Sequence, residues 1–212
     1  TCNLCKGRNW RLQTVLSGLP MQYGTVDYEV NGPYITRPRP VEPIQVYAID
    51  LTCPDVASYL PILAQLGQDM ANHFWRQPDS QLIPRMGVCF ASSAGIIVRG
   101  HDDIHGRYSV MSDITEDPFC PMPLKNWTYD LSTVEGLVAW QKFVNEDIVS
   151  DLEHLKNEFK GKNAYGRDGL DVSCGGAALT FMADALAETG GRGTLITWRR
   201  PNFGVGRLPY RE

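Results

Sequence analysis

Apolar runs of two kinds alternate along the chain, and this alternation predicts strands followed by helices. The stretch IQVYAIDLT (44–52) is almost continuously apolar, as expected for a strand buried on both faces of a parallel sheet. RMGVCFAS (85–92) and RGTLITW (192–198) have the same character. Between them, AGIIVRG and GRYSVM predict two further strands joined by HDDIH, whose flanking glycines favour a solvated turn over a zinc-binding histidine pair.

Apolar residues at helical spacing predict a helix after the first strand. Its expected core-facing stripe consists of Val56, Leu60, Leu63, Leu66, Met70 and Phe74. The pair Thr52 and Asp55 predicts the cap of this helix. Pro61 predicts that the helix either begins near that residue or is kinked there, because proline lacks a backbone N–H group.

The clearest helical pattern covers residues 132–159. Ser132 and Glu135 predict a capping box at its start. One apolar stripe runs along it, made of Leu137, Val144, Ile148, Leu152, Leu155 and Phe159. A third helix is predicted in GGAALTFMADALAETGG (175–191), where Gly190 follows the last helical turn.

The order of these elements predicts an α/β fold with a doubly wound, mostly parallel sheet and helices on both faces. We expect this domain to span residues 44–212. Prolines at positions 33, 38, 40 and 43 predict an extended connecting segment over residues 10–43. Residues 1–9 precede that segment as a short tail that carries Cys2 and Cys5.

Composition narrows the classes of function. The chain has 212 residues, of which 43% are hydrophobic, and a formal net charge of −4. This charge argues against a chain that binds nucleic acid over its whole surface, since such chains are usually basic. No apolar run approaches the length of about 18 residues that indicates a membrane span. The scattered cysteines at positions 53, 89, 120 and 174 favour reduced thiols in the cytosol.

Polar residues after the predicted strands are the candidate chemistry, because ligands of doubly wound sheets bind at the carboxyl ends of the strands. Asp50 and Thr52 follow the first strand in a place where a related loop type, Asp-x-Ser-x-Ser, binds magnesium. Pro54 lacks the third oxygen ligand, and Arg199 and Arg200 stand where another carboxylate is needed. We therefore expect Asp50 and Thr52 to be a vestigial metal site that serves capping and packing.

The thiols allow two further hypotheses. Cys2 and Cys5 form a Cys-x-x-Cys pair, which suits a redox pair, half of a zinc site, or a chance spacing. Half of a zinc ribbon is favoured, because no helix start follows the pair and structural zinc requires four ligands. Cys174 lies just before a predicted helix and is a candidate nucleophile, but no histidine adjoins it in sequence.

Several stretches, in this order, resemble the cargo-adaptor subunit of the COPII vesicle coat, the Sec twenty-four family. They are TCNLC, YGTVDYEV, PYITRPRPVEPIQVYAIDLT, RMGVCFAS, SVMSDITEDPFCPMP and TGGRGTLITWRRPNFGVGRLPYRE. The stretches SDITEDPFCPMP and PNFGVGRLPYRE are the most specific of these. The resemblance covers nearly all of the chain.

The resemblance implies a trunk domain of von Willebrand A type, preceded by the second half of a zinc ribbon to which Cys2 and Cys5 belong. It implies zinc in the full-length protein and none bound by this chain alone. The family continues beyond residue 212, so the trunk is expected to be incomplete at its C-terminal end. No catalysis is implied.

The resemblance also implies partners and a location. The trunk is expected to pair with the GTPase-activating subunit of the coat, and the protein to bind the cytosolic export signals of membrane cargo, with no nucleic acid partner. The expected location is cytoplasmic and peripheral, on the endoplasmic reticulum membrane and on COPII vesicles. The alternatives are a metal-dependent von Willebrand A-type adhesion domain and a thiol enzyme that uses Cys174.

Overall fold

A six-stranded mixed sheet runs through the described part of the chain, which the computed structural model gives as residues 43–76, 83–101, 108–158 and 172–209. These residues all belong to the unit Pro40–Glu212. The strands are β1 (Ile44–Asp50), β2 (Arg85–Ser92), β3 (Gly95–Arg99), β4 (Tyr108–Met111), β5 (Thr128–Asp130) and β6 (Arg192–Ile196). Their order across the sheet is β4-β3-β2-β1-β6, and β5 lies beside β2.

The helices of the described residues are α1 (Leu60–Trp75), α2 (Val134–Lys142), α3 (Ile148–Glu158) and α4 (Gly175–Ala185). A π-helical turn, Phe143–Asp147, joins α2 to α3, and a 3₁₀ turn, Val56–Tyr59, precedes α1. Among these described helices, none combines the length and apolarity that crossing a membrane requires. The alternation of strands and helices confirms the predicted α/β class.

Only part of the sheet is parallel. β1 pairs in parallel with β2 and with β6, whereas the other three pairings of the described sheet are antiparallel. The prediction of a mostly parallel sheet is therefore wrong outside β2, β1 and β6. The physical reason is the short turn Ser93–Ala94 after β2, since two residues can join only antiparallel strands.

Alternate side chains of the buried strands face two separate cores. On one face, Ile49 and Phe90 belong to a core shared with α1, α2 and α3. On the other face, Val46 and Ala48 belong to a core shared with α4, where Phe181 is fully buried. Helices therefore cover both faces of the sheet, as the apolar runs predicted.

The first helix begins beside Pro61, as one of the two predictions from that residue has it, but the predicted cap by Thr52 and Asp55 is wrong. Thr52 does not cap it, because its hydroxyl donates to Asp50 at 2.7 Å. The helix begins at Leu60, so Pro61 lies in the first turn, where a missing N–H costs no hydrogen bond. Leu66, expected in the core, is 40% exposed, while Gly67 and Ala71 take buried positions.

The long pattern over residues 132–159 begins one residue later than predicted. Thr133 is the cap, and its hydroxyl accepts a hydrogen bond from the Gly136 N–H group at 3.1 Å. Ser132 donates instead to Asp130 at 2.6 Å, so the predicted capping box is wrong. The apolar stripe is confirmed for Leu137, Val144, Ile148, Leu152 and Leu155, all buried, while Phe159 lies outside the described residues.

The last helix ends at Ala185, earlier than the pattern predicted. Gly190 then adopts a left-handed conformation with a φ of 77°, and its N–H group donates to the Leu186 carbonyl at 2.7 Å. A residue without a Cβ suits this conformation, so Gly190 closes the turn that leads into β6.

Leu152→Ala should lower the free energy of unfolding by about 2–5 kcal/mol, because Leu152 is 5% exposed and its removal leaves a cavity under the sheet. The adjacent Glu153 is exposed, and Glu153→Ala should change that free energy by less than about 0.5 kcal/mol. Urea denaturation of both variants measures the difference. Equal losses would mean that α3 packs through a different face.

Candidate functional site

Three segments meet at the carboxyl end of the parallel strands. β1 lies between β2 and β6, and the register sets Ile49 opposite Ile196. The residues that follow Ile49 and Ile196 in the chain, Asp50 and Thr197, therefore lie side by side. The segment before α4 adds Ser173 to the same place. Doubly wound sheets bind their ligands in the crevice between two adjacent strands whose following connections run to opposite sides.

Asp50 is the centre of this cluster and is completely buried. Its Oδ1 atom accepts hydrogen bonds from the Thr52 N–H group at 3.0 Å and from the Thr52 hydroxyl at 2.7 Å. Its Oδ2 atom lies 2.5 Å from the Ser173 hydroxyl and 3.0 Å from the Thr197 hydroxyl. Hydrogen bonds of this kind satisfy a buried carboxylate without a metal ion.

The cluster therefore does not fit a divalent cation. Both carboxylate oxygens already accept protein hydrogen bonds, whereas a magnesium ion needs free oxygens in near-octahedral geometry. In the described ranges, no three His, Cys, Asp or Glu side chains gather into a metal-binding group. Asp50 and Thr52 lie at the carboxyl end of β1, as the sequence predicted. Sequence reasoning missed Thr197, whose signal was its position directly after the last apolar residue of β6.

The loop after β6 is fixed to the same cluster. The Thr197 hydroxyl lies 2.7 Å from the Arg199 carbonyl, and the Arg199 N–H group donates to that hydroxyl at 3.3 Å. Asn202 accepts a hydrogen bond from the Ser173 N–H group at 2.9 Å. Arg199 and Arg200 are exposed in this loop. Their position at the edge where a second carboxylate would be needed agrees with the sequence-based expectation.

The two stretches on which the resemblance most depends also meet. The Val205 N–H group, in PNFGVGRLP, donates to the carbonyl of Ile114, in SDITEDPFCPMP, at 2.8 Å. Gly176, in the first turn of α4, lies under this contact, and a Cβ there would come within 2.3 Å of the Val205 carbonyl oxygen. The two stretches therefore pack as one surface against the start of α4.

The candidate nucleophile Cys174 is buried beside the Asp50 cluster. Burial and, to a lesser extent, the nearby Asp50 charge raise the pKa of its thiol to about 12. Cys53, Cys89 and Cys120 are also free thiols, and burial raises the pKa of Cys89 and Cys120. A thiol with such a pKa is protonated at neutral pH, which disfavours a thiolate nucleophile.

The remaining candidate ligands lie outside the described residues. Cys2 and Cys5 are among them, as are residues 1–9 and, except for Pro43, the connecting segment 10–43. His101 is described and follows β3, whereas His105 is not described. The zinc-ribbon prediction therefore stays a prediction.

Comparison with protein-family models finds no matching family, and comparison with curated proteins finds no matching relative. The function is therefore inferred from the residues of the chain and their geometry.

Asp50→Ala should lower the free energy of unfolding by about 3 kcal/mol or more, because it leaves the Ser173 and Thr197 hydroxyls without their charged acceptor. Asp55→Ala is the matched control, since Asp55 is exposed and its side chain caps nothing. Urea denaturation compares the two variants. A loss no greater than that of the control would show that the cluster does not hold its three segments together.

Cys174 should react slowly with iodoacetamide at pH 7, because burial keeps its thiol protonated. Mass spectrometry of the native chain after timed alkylation measures the rate. The control is the same chain in urea, where all six cysteines should react at similar rates. Native labelling of Cys174 at the rate found in urea would revive the thiol-enzyme hypothesis.

Proposed function

We propose that the chain is part of the cargo-adaptor subunit of the COPII inner coat. In this proposal residues 44–212 are a trunk domain of von Willebrand A type, which pairs with the GTPase-activating subunit of the coat. The full-length protein selects membrane cargo for export from the endoplasmic reticulum by binding cytosolic export signals. The protein is not an enzyme, and it acts at the cytoplasmic face of that membrane as a peripheral protein.

The observation that carries this proposal is the closure of the Asp50 cluster. Every oxygen of the buried carboxylate is engaged by backbone or hydroxyl donors at the edge where this kind of sheet usually holds its ligand. A domain that bound ligands through a metal ion would need that carboxylate open. The closed cluster instead ties three segments together, which suits a domain used for assembly.

A second observation supports the resemblance itself. Its two most specific stretches are distant in sequence, yet Ile114 and Val205 join them through a backbone hydrogen bond. Gly176 and Gly206 approach so closely that a Cβ on Gly176 would lie within 2.8 Å of the Gly206 backbone. Side chains at either position have little room, so the glycines and the two stretches depend on one another.

The proposal assigns roles to residues outside the described ranges. Cys2 and Cys5 provide two of the four ligands of a structural zinc site in the full-length protein. Residues 10–43 connect this half ribbon to the trunk. Zinc there has a structural role, since a closed tetrahedral site leaves no position for a substrate.

The alternative is a metal-dependent adhesion domain of the same type. The convergence of Asp50, Thr52 and Ser173 favours it, because carboxylate and hydroxyl oxygens of this kind bind magnesium in such domains. For this alternative to hold, the hydroxyls must turn away from Asp50 when the ion binds. Magnesium should then raise the melting temperature, with no effect on an Asp50→Asn variant.

The chain should bind the trunk of the GTPase-activating coat subunit, and a stable pair should bury about 1,200–2,000 Å². Isothermal titration calorimetry of the 212-residue chain against that trunk measures the binding. Magnesium titration of the melting temperature accompanies the experiment and should give no shift. If the chain fails to bind while magnesium stabilises the protein through Asp50, the adhesion-domain alternative replaces the proposal.

A further inference from the structure

A cleft of about 540 Å³ opens at the other end of β2 from the Asp50 cluster. Two different strands share one side of β2. β3 pairs with Cys89–Ser92, and β5 pairs with Arg85–Gly87. After β3, the His101 N–H group donates to the Asn126 carbonyl, just before β5, at 2.9 Å. The cleft lies at this change of partner and is called the β5–α2 cleft below.

Helix α2 closes one wall of the β5–α2 cleft through a close approach to β5. A Cβ on Gly136 would lie 1.7 Å from the Asp130 carbonyl oxygen, so only glycine fits there. Gly136, Ala139 and Lys142 line the wall. Because two of these residues are small, the space beside β5 stays open.

Cations exceed carboxylates in the lining of this cleft. Arg85, Arg99, Lys125 and Lys142 line it together with the carboxylates Asp130 and Asp147, which leaves two positive charges in excess. Arg99 pairs with Asp147 at 3.0 Å, whereas Arg85 and Asp130 are 3.7 Å apart.

The two lysines of the cleft are available to a ligand. Within the described ranges, neither Lys125 nor Lys142 forms an ion pair. Both are exposed at the mouth of the cleft, one on the short turn before β5 and the other at the end of α2. Two cations on separate elements, facing one space, suit an anion that bridges them.

Two aromatic rings, those of Tyr129 and His101, line the cleft and are held in place by their neighbours. The Tyr129 ring stacks on Phe143 with ring centres 5.1 Å apart and meets His101 edge-on at 4.3 Å. The His101 Nε2 atom lies 3.0 Å from the Thr128 carbonyl, which holds the imidazole in place. Burial raises the pKa of Tyr129, so its hydroxyl stays protonated at neutral pH.

We propose that the β5–α2 cleft binds a ligand that carries a phosphate or diphosphate group. A doubly charged anion matches the excess of two cations, and the ammonium groups of Lys125 and Lys142 are charged donors that phosphate oxygens accept. Arg85 adds positive charge to the lining, while its Nη1 atom donates to the Thr128 carbonyl at 3.2 Å. The volume is within the range of about 300–1,000 Å³ typical of small-molecule sites. This inference stands independently of the coat function proposed above.

The test uses pyrophosphate as the probe and the full 212-residue chain. Pyrophosphate should bind in calorimetry and should raise the melting temperature of the protein. Sodium chloride at the same ionic strength is the control and should have neither effect. Lys125→Gln and Lys142→Gln should each weaken binding by about tenfold, the size expected for the loss of one charged hydrogen bond. Lys125→Arg and Lys142→Arg should retain it, and Lys156→Gln on α3, outside the cleft, is the matched control.

A second experiment distinguishes two sources of the phosphate group, a soluble compound and a lipid headgroup. Free inositol hexakisphosphate is compared with vesicles that contain phosphatidylinositol 4-phosphate, using the same variants. Lysine-dependent binding of the free compound assigns a soluble ligand, and lysine-dependent binding of the vesicles alone assigns a lipid headgroup. Both lysines are exposed, so their variants should fold, and circular dichroism checks this. No binding of any of the three probes, or equal weakening by Lys156→Gln, would overturn the proposal.

Discussion

The charge of Asp50 is the constraint on which the edge of the sheet depends. A carboxylate with no exposed surface is tolerated only where donors surround it, and here the donors come from three different segments. Thr52 belongs to the turn after β1, Ser173 to the segment before α4, and Thr197 to the loop after β6. Satisfying one buried charge therefore fixes where α4 begins and where the last loop leaves the sheet.

The elements that the sequence predicts well are those whose signal is burial. The runs 44–52 and 85–92 had to be buried strands, because so continuous an apolar run has no solvent-facing side. Caps were predicted less well, since a hydroxyl can donate to a nearby carboxylate instead of accepting a hydrogen bond from the N–H groups of the helix. Ser132 binds Asp130, so Thr133 caps α2 instead. β5 was not predicted, because three residues carry no measurable period.

The candidate site was predictable only where a buried apolar run marks its position. Asp50 could be found from its place after an apolar run, but its partner Thr197 depends on strand register. The pairing of Ile49 with Ile196 brings them together, and one apolar run does not disclose its register with another. The β5–α2 cleft could not be predicted from the sequence for the same reason. It lies where the strand paired with β2 changes from β3 to β5, and this depends on strand register.

The two places of interest lie at opposite ends of the parallel strands. Asp50 is the last residue of β1, whereas Arg85 pairs with Ile44, the first, so about 20 Å of strand separates them. At the carboxyl end, protein donors satisfy the only buried carboxylate of the described residues. At the amino end, Lys125 and Lys142 face an open space with cations in excess. The usual ligand edge of this fold thus has its buried carboxylate satisfied by protein donors, whereas the opposite edge carries the cationic cleft, where electrostatics favours an anion.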